Sequence, residues 1–121
     1  MHLYLELWKA KPAWRALSPE EREAYGAELG PAISQLLEAG VELVGFALND
    51  EDTEHRADYT YLALWKMPSK ELAVRLERTV SEAGFHDYFE QVNARGALMS
   101  PDAAVEHMVR AGTGASGSAT R

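Results

Sequence analysis

Large apolar side chains alternate with other residues along two stretches of the chain that are almost the same. Tyr4-Leu5-Glu6-Leu7-Trp8-Lys9 returns as Tyr61-Leu62-Ala63-Leu64-Trp65-Lys66, with five of the six positions identical. Alternation with a period of two is typical of a β-strand whose two faces differ. Leucines occupy one face of each copy, and tyrosine and tryptophan occupy the other. The repeat therefore predicts two paired central strands of one sheet.

Two longer stretches carry the signals of helices. Ser18-Pro19-Glu20-Glu21 predicts a helix start, with Ser18 as N-cap and Glu21 completing a capping box. An apolar stripe at helical spacing continues from there to Leu37, and Gly30-Pro31 predicts a kink or a break within it. A second helix is predicted to begin at Ser69 and to end at Gly84.

The strand patterns complete the order of elements. Strands are predicted over residues 2–9, 41–48, 57–67 and 85–93, although the last of these is also compatible with a helix. Residues 93–96 have the composition of a turn. The order strand, helix, strand, strand, helix, strand predicts an α+β protein with the ferredoxin-like, split β-α-β fold and a four-stranded antiparallel sheet.

The end of the chain has a different composition. Ser100-Pro101-Asp102 predicts a further helix, and the last ten residues are mainly Gly, Ser, Thr and Ala. The predicted organisation is a ferredoxin-like domain over 1–96, a C-terminal helix within 97–111 and a flexible tail over 112–121.

Composition limits the classes of function. The 121 residues suit one domain, and 46% hydrophobic with 26% charged residues is typical of a soluble globular protein. A net charge of -7 without a basic run disfavours nucleic acid and anionic membranes as partners. There are no cysteines, which excludes disulfides and thiol chemistry. No stretch resembles a signal peptide or membrane span, so we expect a cytoplasmic protein.

The two faces of the repeat imply different surroundings. Two helices can cover only one face of a four-stranded sheet, and we predict that they cover the leucine face. The aromatic face would then be exposed, which is unusual for a monomer. We expect a second copy of the chain to pack against it face to face, giving a homodimer whose sheets enclose a small-molecule cavity.

On these features the chain resembles the dimeric α/β-barrel superfamily. The resemblance covers about residues 2–96 and includes Glu6-Leu7-Trp8-Lys9 and the segment from Tyr88 to Gly96, which look like those of a small uncharacterised bacterial branch. The wider superfamily includes cofactor-independent monooxygenases, polyketide cyclases, lyases and haem-degrading enzymes. The resemblance therefore implies a homodimer with a ligand cavity, and an aromatic or polyketide-like substrate, but does not choose one activity.

Glu6 is the leading candidate for chemistry. On the predicted aromatic face its carboxylate would point into the cavity, and burial would favour the neutral acid, as a general acid or base near neutral pH requires. Ala63, at the equivalent position of the repeat, would leave room for a ligand. In the alternative interpretation Glu6 bonds Tyr61, a tryptophan indole or the partner subunit, and its role is structural.

Other polar and aromatic residues complete the predicted site. Tyr61 and His86 join Glu6 as candidate catalytic residues, although a lone histidine is more often structural. The predicted substrate-binding residues are Tyr4, Trp8, Tyr59, Ala63, Trp65, Tyr88 and Glu90. The tyrosines and tryptophans either stack a planar substrate or form the dimer core.

No cofactor is predicted, and the four histidines are too scattered to form a metal site. Three functions remain open: a cofactor-independent enzyme, a non-catalytic carrier or sensor of a small molecule, and an interaction protein whose aromatic face only forms the dimer.

Overall fold

Four strands and five helices follow one another along residues 1–111, which are the residues that this computed structural model describes. None of the helices there has the length and apolar character needed to cross a membrane. In chain order the elements are β1 (His2–Ala10), α1 (Pro12–Arg15), α2 (Pro19–Glu38), β2 (Glu42–Leu48), β3 (Tyr61–Met67), α3 (Lys70–Glu82), α4 (Phe85–Tyr88), β4 (Phe89–Ala97) and α5 (Pro101–Arg110).

The strands form one antiparallel sheet in the order β2-β3-β1-β4. This is the predicted ferredoxin-like arrangement, and the two copies of the repeat are the adjacent central strands. Their register places Tyr4 opposite Trp65 and Glu6 opposite Ala63. The prediction of an α+β fold built on the paired repeats is therefore confirmed.

The helices cover the aromatic face of this sheet, so our assignment of the two faces is wrong. Tyr4, Ala63 and Trp65 are buried in one cluster with Leu36 of α2 and Leu76 of α3. The opposite face carries Leu3 and the leucines of the repeat, Leu5, Leu7, Leu62 and Leu64, which are all only partly buried in the single chain.

The contacts between the helices and the sheet show how the aromatic face is filled. A helix that packs on a sheet leaves a gap that side chains must fill to near-crystalline density. Tyr4 and Trp65 of the sheet are among the largest fully buried side chains, together with Leu36 and Leu76 of the helices. Ala73 of α3 is fully buried in the same cluster.

Helix α2 begins with the predicted capping box. The Ser18 hydroxyl accepts the Glu21 N–H at 3.1 Å, and the Glu21 carboxylate accepts the Ser18 N–H at 2.8 Å. The helix then continues through Pro31 to Glu38, so of the predicted kink or break the break is wrong, and the kink stays a prediction. Contacts of this helix with the sheet, through Leu36 and Ile33, offset the backbone hydrogen bond that Pro31 cannot donate.

The fourth strand is displaced from its predicted position. Residues 85–88 form the short helix α4, in which Phe85 stacks on Phe89 at 4.5 Å, a contact between residues one helical turn apart. Strand β4 then runs to Ala97, through the residues that we predicted to be a turn. Nine successive pairs with β1, from Ala10–Phe89 to His2–Ala97, stabilise this longer strand.

The start of the third strand also differs from the prediction. Strand β3 starts at Tyr61, and residues 57–60 belong to the loop, which Arg56 braces by donating hydrogen bonds to the carbonyl groups of Asp50 and Tyr59. The predicted division into a domain and a C-terminal helix stays a prediction. The predicted tail over 112–121 lies outside the described residues.

The helix caps give a test of the fold. Ser18→Ala removes the N-cap of a helix that contributes to the core, so we expect it to lower the free energy of unfolding by about 1 kcal/mol. Ser100→Ala is the matched control, because Ser100 caps α5 in the same way and that helix has no buried residue. Denaturant unfolding should show the larger loss for Ser18→Ala, and equal losses would contradict this account of α2.

Candidate functional site

A single buried carboxylate lies at the centre of the helix-covered face. Glu6 is on the central strand β1, and only 6% of its surface is exposed. One of its oxygens accepts the indole N–H of Trp65 at 2.7 Å, and the other accepts the side-chain amide of Gln91 at 2.8 Å. Both donors are neutral, so the hydrogen bonds stabilise the carboxylate without cancelling its charge.

Glu6 lies at the base of a pocket of about 340 Å³ between the sheet and the helices. Its volume is at the small end of the range for ligand sites. Aromatic rings form much of the wall, and aliphatic side chains of α2 and α3 complete it. The aromatic residues are Trp8, Phe46, Trp65 and Phe85, and the aliphatic residues are Leu29, Ile33 and Val80.

Two glycines of α2 hold the pocket open. Gly26 and Gly30 line it one helical turn apart. Apart from the local helix backbone and the adjacent residues, a Cβ atom at either position would meet no atom of residues 1–111 within 4 Å. Each glycine inside a helix costs about 1 kcal/mol relative to alanine. The helix is therefore less stable than its length allows, and the space above Glu6 is larger as a result.

A chain of hydrogen bonds connects Glu6 to the surface. The Gln91 amide nitrogen also donates to Asn93 at 2.7 Å, and its carbonyl oxygen lies 3.0 Å from Nε2 of the exposed His86. These contacts require Nε2 of His86 to donate, because the Gln91 oxygen is an acceptor. His86 and Asn93, which lie outside the pocket, therefore fix the orientation of the Gln91 side-chain amide that donates to Glu6.

The environment of Glu6 favours its neutral form. Burial raises the pKa of this carboxyl group, and the hydrogen bonds from Trp65 and Gln91, together with the nearby His86, oppose the rise only in part. A carboxyl group with a raised pKa can both give and take a proton nearer to neutral pH than an exposed one.

Three of the predicted site residues line this pocket together. They are Glu6, Trp8 and Trp65. Ala63 lies opposite Glu6 in the sheet and is fully buried, as is Tyr4, so neither is exposed to the pocket. The Tyr4 hydroxyl is buried and has no hydrogen-bond partner among residues 1–111. Burial, followed by the charge of Glu6, raises the pKa of this group.

The other predicted residues lie elsewhere. Tyr61 stacks on Trp8 at 5.6 Å and is 37% exposed, and Tyr88 packs against Trp14 and Tyr25. The remaining three line a second, open depression of about 390 Å³ beside β4. They are Tyr59, His86 and Glu90. Gln91 also lines this depression and separates it from Glu6.

Several residues of the site are not predicted from the sequence. Phe46 and Phe85 line the pocket and Gln91 donates to Glu6, but their strand patterns indicate no such role. Gly26 and Gly30 carried the clearest available signal, because two glycines four residues apart in a strong helical pattern lie on one helix face. Their meaning depended on knowing which face met the sheet.

The described residues offer no metal centre, since no three of their His, Asp and Glu side chains are grouped to hold an ion. The polar groups of the pocket are instead those of Glu6 and the Trp65 indole, and the chemistry of the site is that of a carboxyl group in apolar surroundings.

Solved structures define the class of fold. A crystal structure of the chlorite dismutase-like protein TA0507 matches with a TM-score of 0.57 at 16% identity, covering 81% of this chain and 43% of that one. A crystal structure of methylated RPA0582 protein matches with a TM-score of 0.53 at 22% identity, covering 83% and 82%. The chain thus shares a ferredoxin-like α+β fold with these structures, and it spans less than half of the first protein.

The chain belongs to the family described as "Family of unknown function (DUF6616)", whose model matches residues 1–111. A comparison with curated proteins found no match. At these identities the solved structures show the fold alone.

The raised pKa of Glu6 gives a test of its burial. Because the folded protein holds the Glu6 proton more tightly than the unfolded chain, wild-type stability should fall relative to Glu6→Gln as pH rises from about 4.5 through the raised pKa. The slope is at most about 1.4 kcal/mol per pH unit. Denaturant unfolding at a series of pH values measures it.

Glu23→Gln, which removes an exposed carboxylate from α2, is the matched control for the change of charge. If the stability of wild type minus that of Glu6→Gln stays constant with pH, or rises with pH, the burial of an ionisable Glu6 is contradicted.

Proposed function

We propose that this protein binds a small, largely apolar organic molecule in the pocket above Glu6, and that Glu6 exchanges a proton with it. The observation that carries the proposal is a lone buried carboxyl group at the base of an open apolar pocket. A carboxyl group that served only to hold the fold together would not need an open space beside it.

The wall of the pocket offers apolar contacts to a ligand, and Glu6 at its base offers a polar one. Trp8, Phe46 and Phe85 supply apolar and aromatic surface, which favours an aromatic ligand. Glu6 supplies the polar contact that orients it. Because two neutral N–H donors fix the carboxyl group, it can accept or donate a proton without a change in its position.

A non-catalytic carrier or sensor is the second candidate. It is favoured by the two hydrogen bonds that already occupy one lone pair on each oxygen of Glu6, as expected of a structural anchor. The two functions differ in the fate of the ligand. A binder found by thermal shift that is recovered chemically unaltered after long incubation supports the carrier, and an altered one supports the enzyme.

Filling the pocket from the helix tests the binding site. Gly26→Leu adds a side chain where no other atom lies within 4 Å, so it should occupy the pocket and leave the fold intact. We expect it to weaken binding of N-phenyl-1-naphthylamine, a neutral dye that fluoresces in apolar surroundings, by about tenfold or more, since the site loses its space. Dye fluorescence measures the affinity.

Ala27→Leu is the matched control, because Ala27 is the neighbouring residue of α2 and lies with Glu20 and Glu23 away from the pocket. Helix propensity should make Gly26→Leu more stable than wild type by up to about 1 kcal/mol. Dye binding that is absent in wild type, or equal in both variants, would contradict the proposed site.

We infer further that two copies of the chain pair through the leucine face. Leu5 and Leu7 of β1 lie between Leu64 and Leu62 of β3 and Ala94 and Val92 of β4. Within residues 1–111 all six are partly or fully exposed to solvent. Each leucine that becomes fully buried contributes about 1.5–3 kcal/mol. The dimeric α/β-barrel type of the related folds supports the same pairing.

A charge on this face tests the pairing. Leu5→Arg places a cation at the centre of the leucine face, so we expect a mass of one chain by light scattering at micromolar concentration, where wild type has the mass of two. Val105→Arg is the matched control, because Val105 is an exposed residue of α5. A wild-type protein with the mass of one chain would rule out the dimer.

A further inference from the structure

The ionisable lining of the pocket is acidic only. Among the residues that the structure describes, no lysine, arginine or histidine lines it, and Glu6 is its only ionisable residue. His86, the basic residue whose charge acts on Glu6, lies beyond the Gln91 amide. A carboxylate buried without a counter-charge is costly, and the cost falls when a cation is placed beside it.

Glu6 also retains the means to bind such a cation. A carboxylate has about four sites for accepting hydrogen bonds, and the described contacts use two of them. Glu6 lines the pocket, so a donor that enters there can reach the carboxyl group. An anionic ligand would meet a like charge at the same place.

The aromatic wall adds a second attraction for a cation. Phe46 meets Trp8 at 83° and Trp65 at 87°, with ring centroids 6.1 and 5.9 Å apart, and Phe85 meets Trp8 at 71°. Because neighbouring rings are nearly perpendicular, a group seated among them meets ring faces as well as edges. Ring faces carry negative potential and attract ammonium groups.

We propose that the ligand is an organic amine that binds as its ammonium form, with the charged nitrogen at Glu6 and an apolar or aromatic body along the wall formed by Leu29, Ile33 and Val80. This inference rests on the proposed function, and it names the ligand class for that same pocket. The net charge of -7 would also favour the approach of cations.

Three probes of nearly the same shape test the ligand class. They are 3-phenylpropan-1-amine, 3-phenylpropan-1-ol and 3-phenylpropanoate, which are cationic, neutral and anionic at pH 7. We expect the amine to bind about tenfold more tightly than the alcohol, because only the amine gains both the carboxylate and the ring faces. The anion should bind more weakly than either. Isothermal titration calorimetry measures all three.

Two variants show whether a preference for the amine comes from Glu6 and the pocket. In Glu6→Gln the ratio of amine to alcohol affinity should fall several-fold, because the carboxylate charge is lost while the shape and the ring faces are kept. Gly26→Leu keeps every charge and should weaken all three probes together, which separates the pocket from non-specific attraction to an acidic protein.

The outcomes separate this inference from the proposed function. If the alcohol binds as tightly as the amine, or if the amine does not bind, the amine class is wrong, and measurements on the wild-type protein are enough to show it. Binding of the neutral naphthylamine dye that Gly26→Leu blocks would then leave the proposed pocket standing. If the dye also fails to bind, the proposed function fails as well.

Discussion

The hydrogen bond between the Trp65 indole and the Glu6 carboxylate is the contact on which the rest of the site depends. It joins the two central strands at the middle of the helix-covered face, where a carboxyl group without donors would be too costly to bury. Gln91 supplies the second donor from β4, so three strands hold one carboxyl group. The pocket above Glu6 then requires only that α2 and α3 leave space between themselves and the sheet.

Helix α2 leaves this space through residues that lower its own stability. Gly26 and Gly30 lower the helix propensity of α2, and Pro31 removes one of its backbone hydrogen bonds. The capping box at Ser18 and the burial of Leu36 stabilise the same helix in return. A helix with this composition covers the core at one end and leaves open space beside Glu6 along its middle.

Adjacent residues of β1 face opposite sides of the sheet, and the two sides have different proposed roles. Along β1, Glu6 and Trp8 face the helices and the pocket, while Leu5 and Leu7 face away from them. A strand with this alternation can serve a ligand site on one side and a contact between subunits on the other. The proposed dimer and the proposed binding site therefore do not compete for the same surface.

Much of the fold was predictable because its signals are local. The capping box at Ser18 and the cap at Ser69 depend on residues within one helical turn, and the repeated strands depend on alternation alone. The fourth strand was harder, because its position is set by the pairing with β1 and by the contact between Phe85 and Phe89. Glu6 is identified from the sequence as a candidate. The sequence, however, predicts its pocket on the face of the sheet that has no helices, whereas the pocket lies between the sheet and the helices.

By itself the sequence determined that the chain is α+β, that the two copies of its repeat form the central strands, and that Glu6 shares a face with Trp8. The tertiary structure alone decided which face the helices cover, because both faces are apolar and period-two alternation does not rank them. It also decided what surrounds Glu6, since Phe46, Gly26 and Gln91 are distant in sequence and meet only when the helices close over the sheet. Because the helices cover the aromatic face, Glu6 is buried beneath them and the pocket forms beside it.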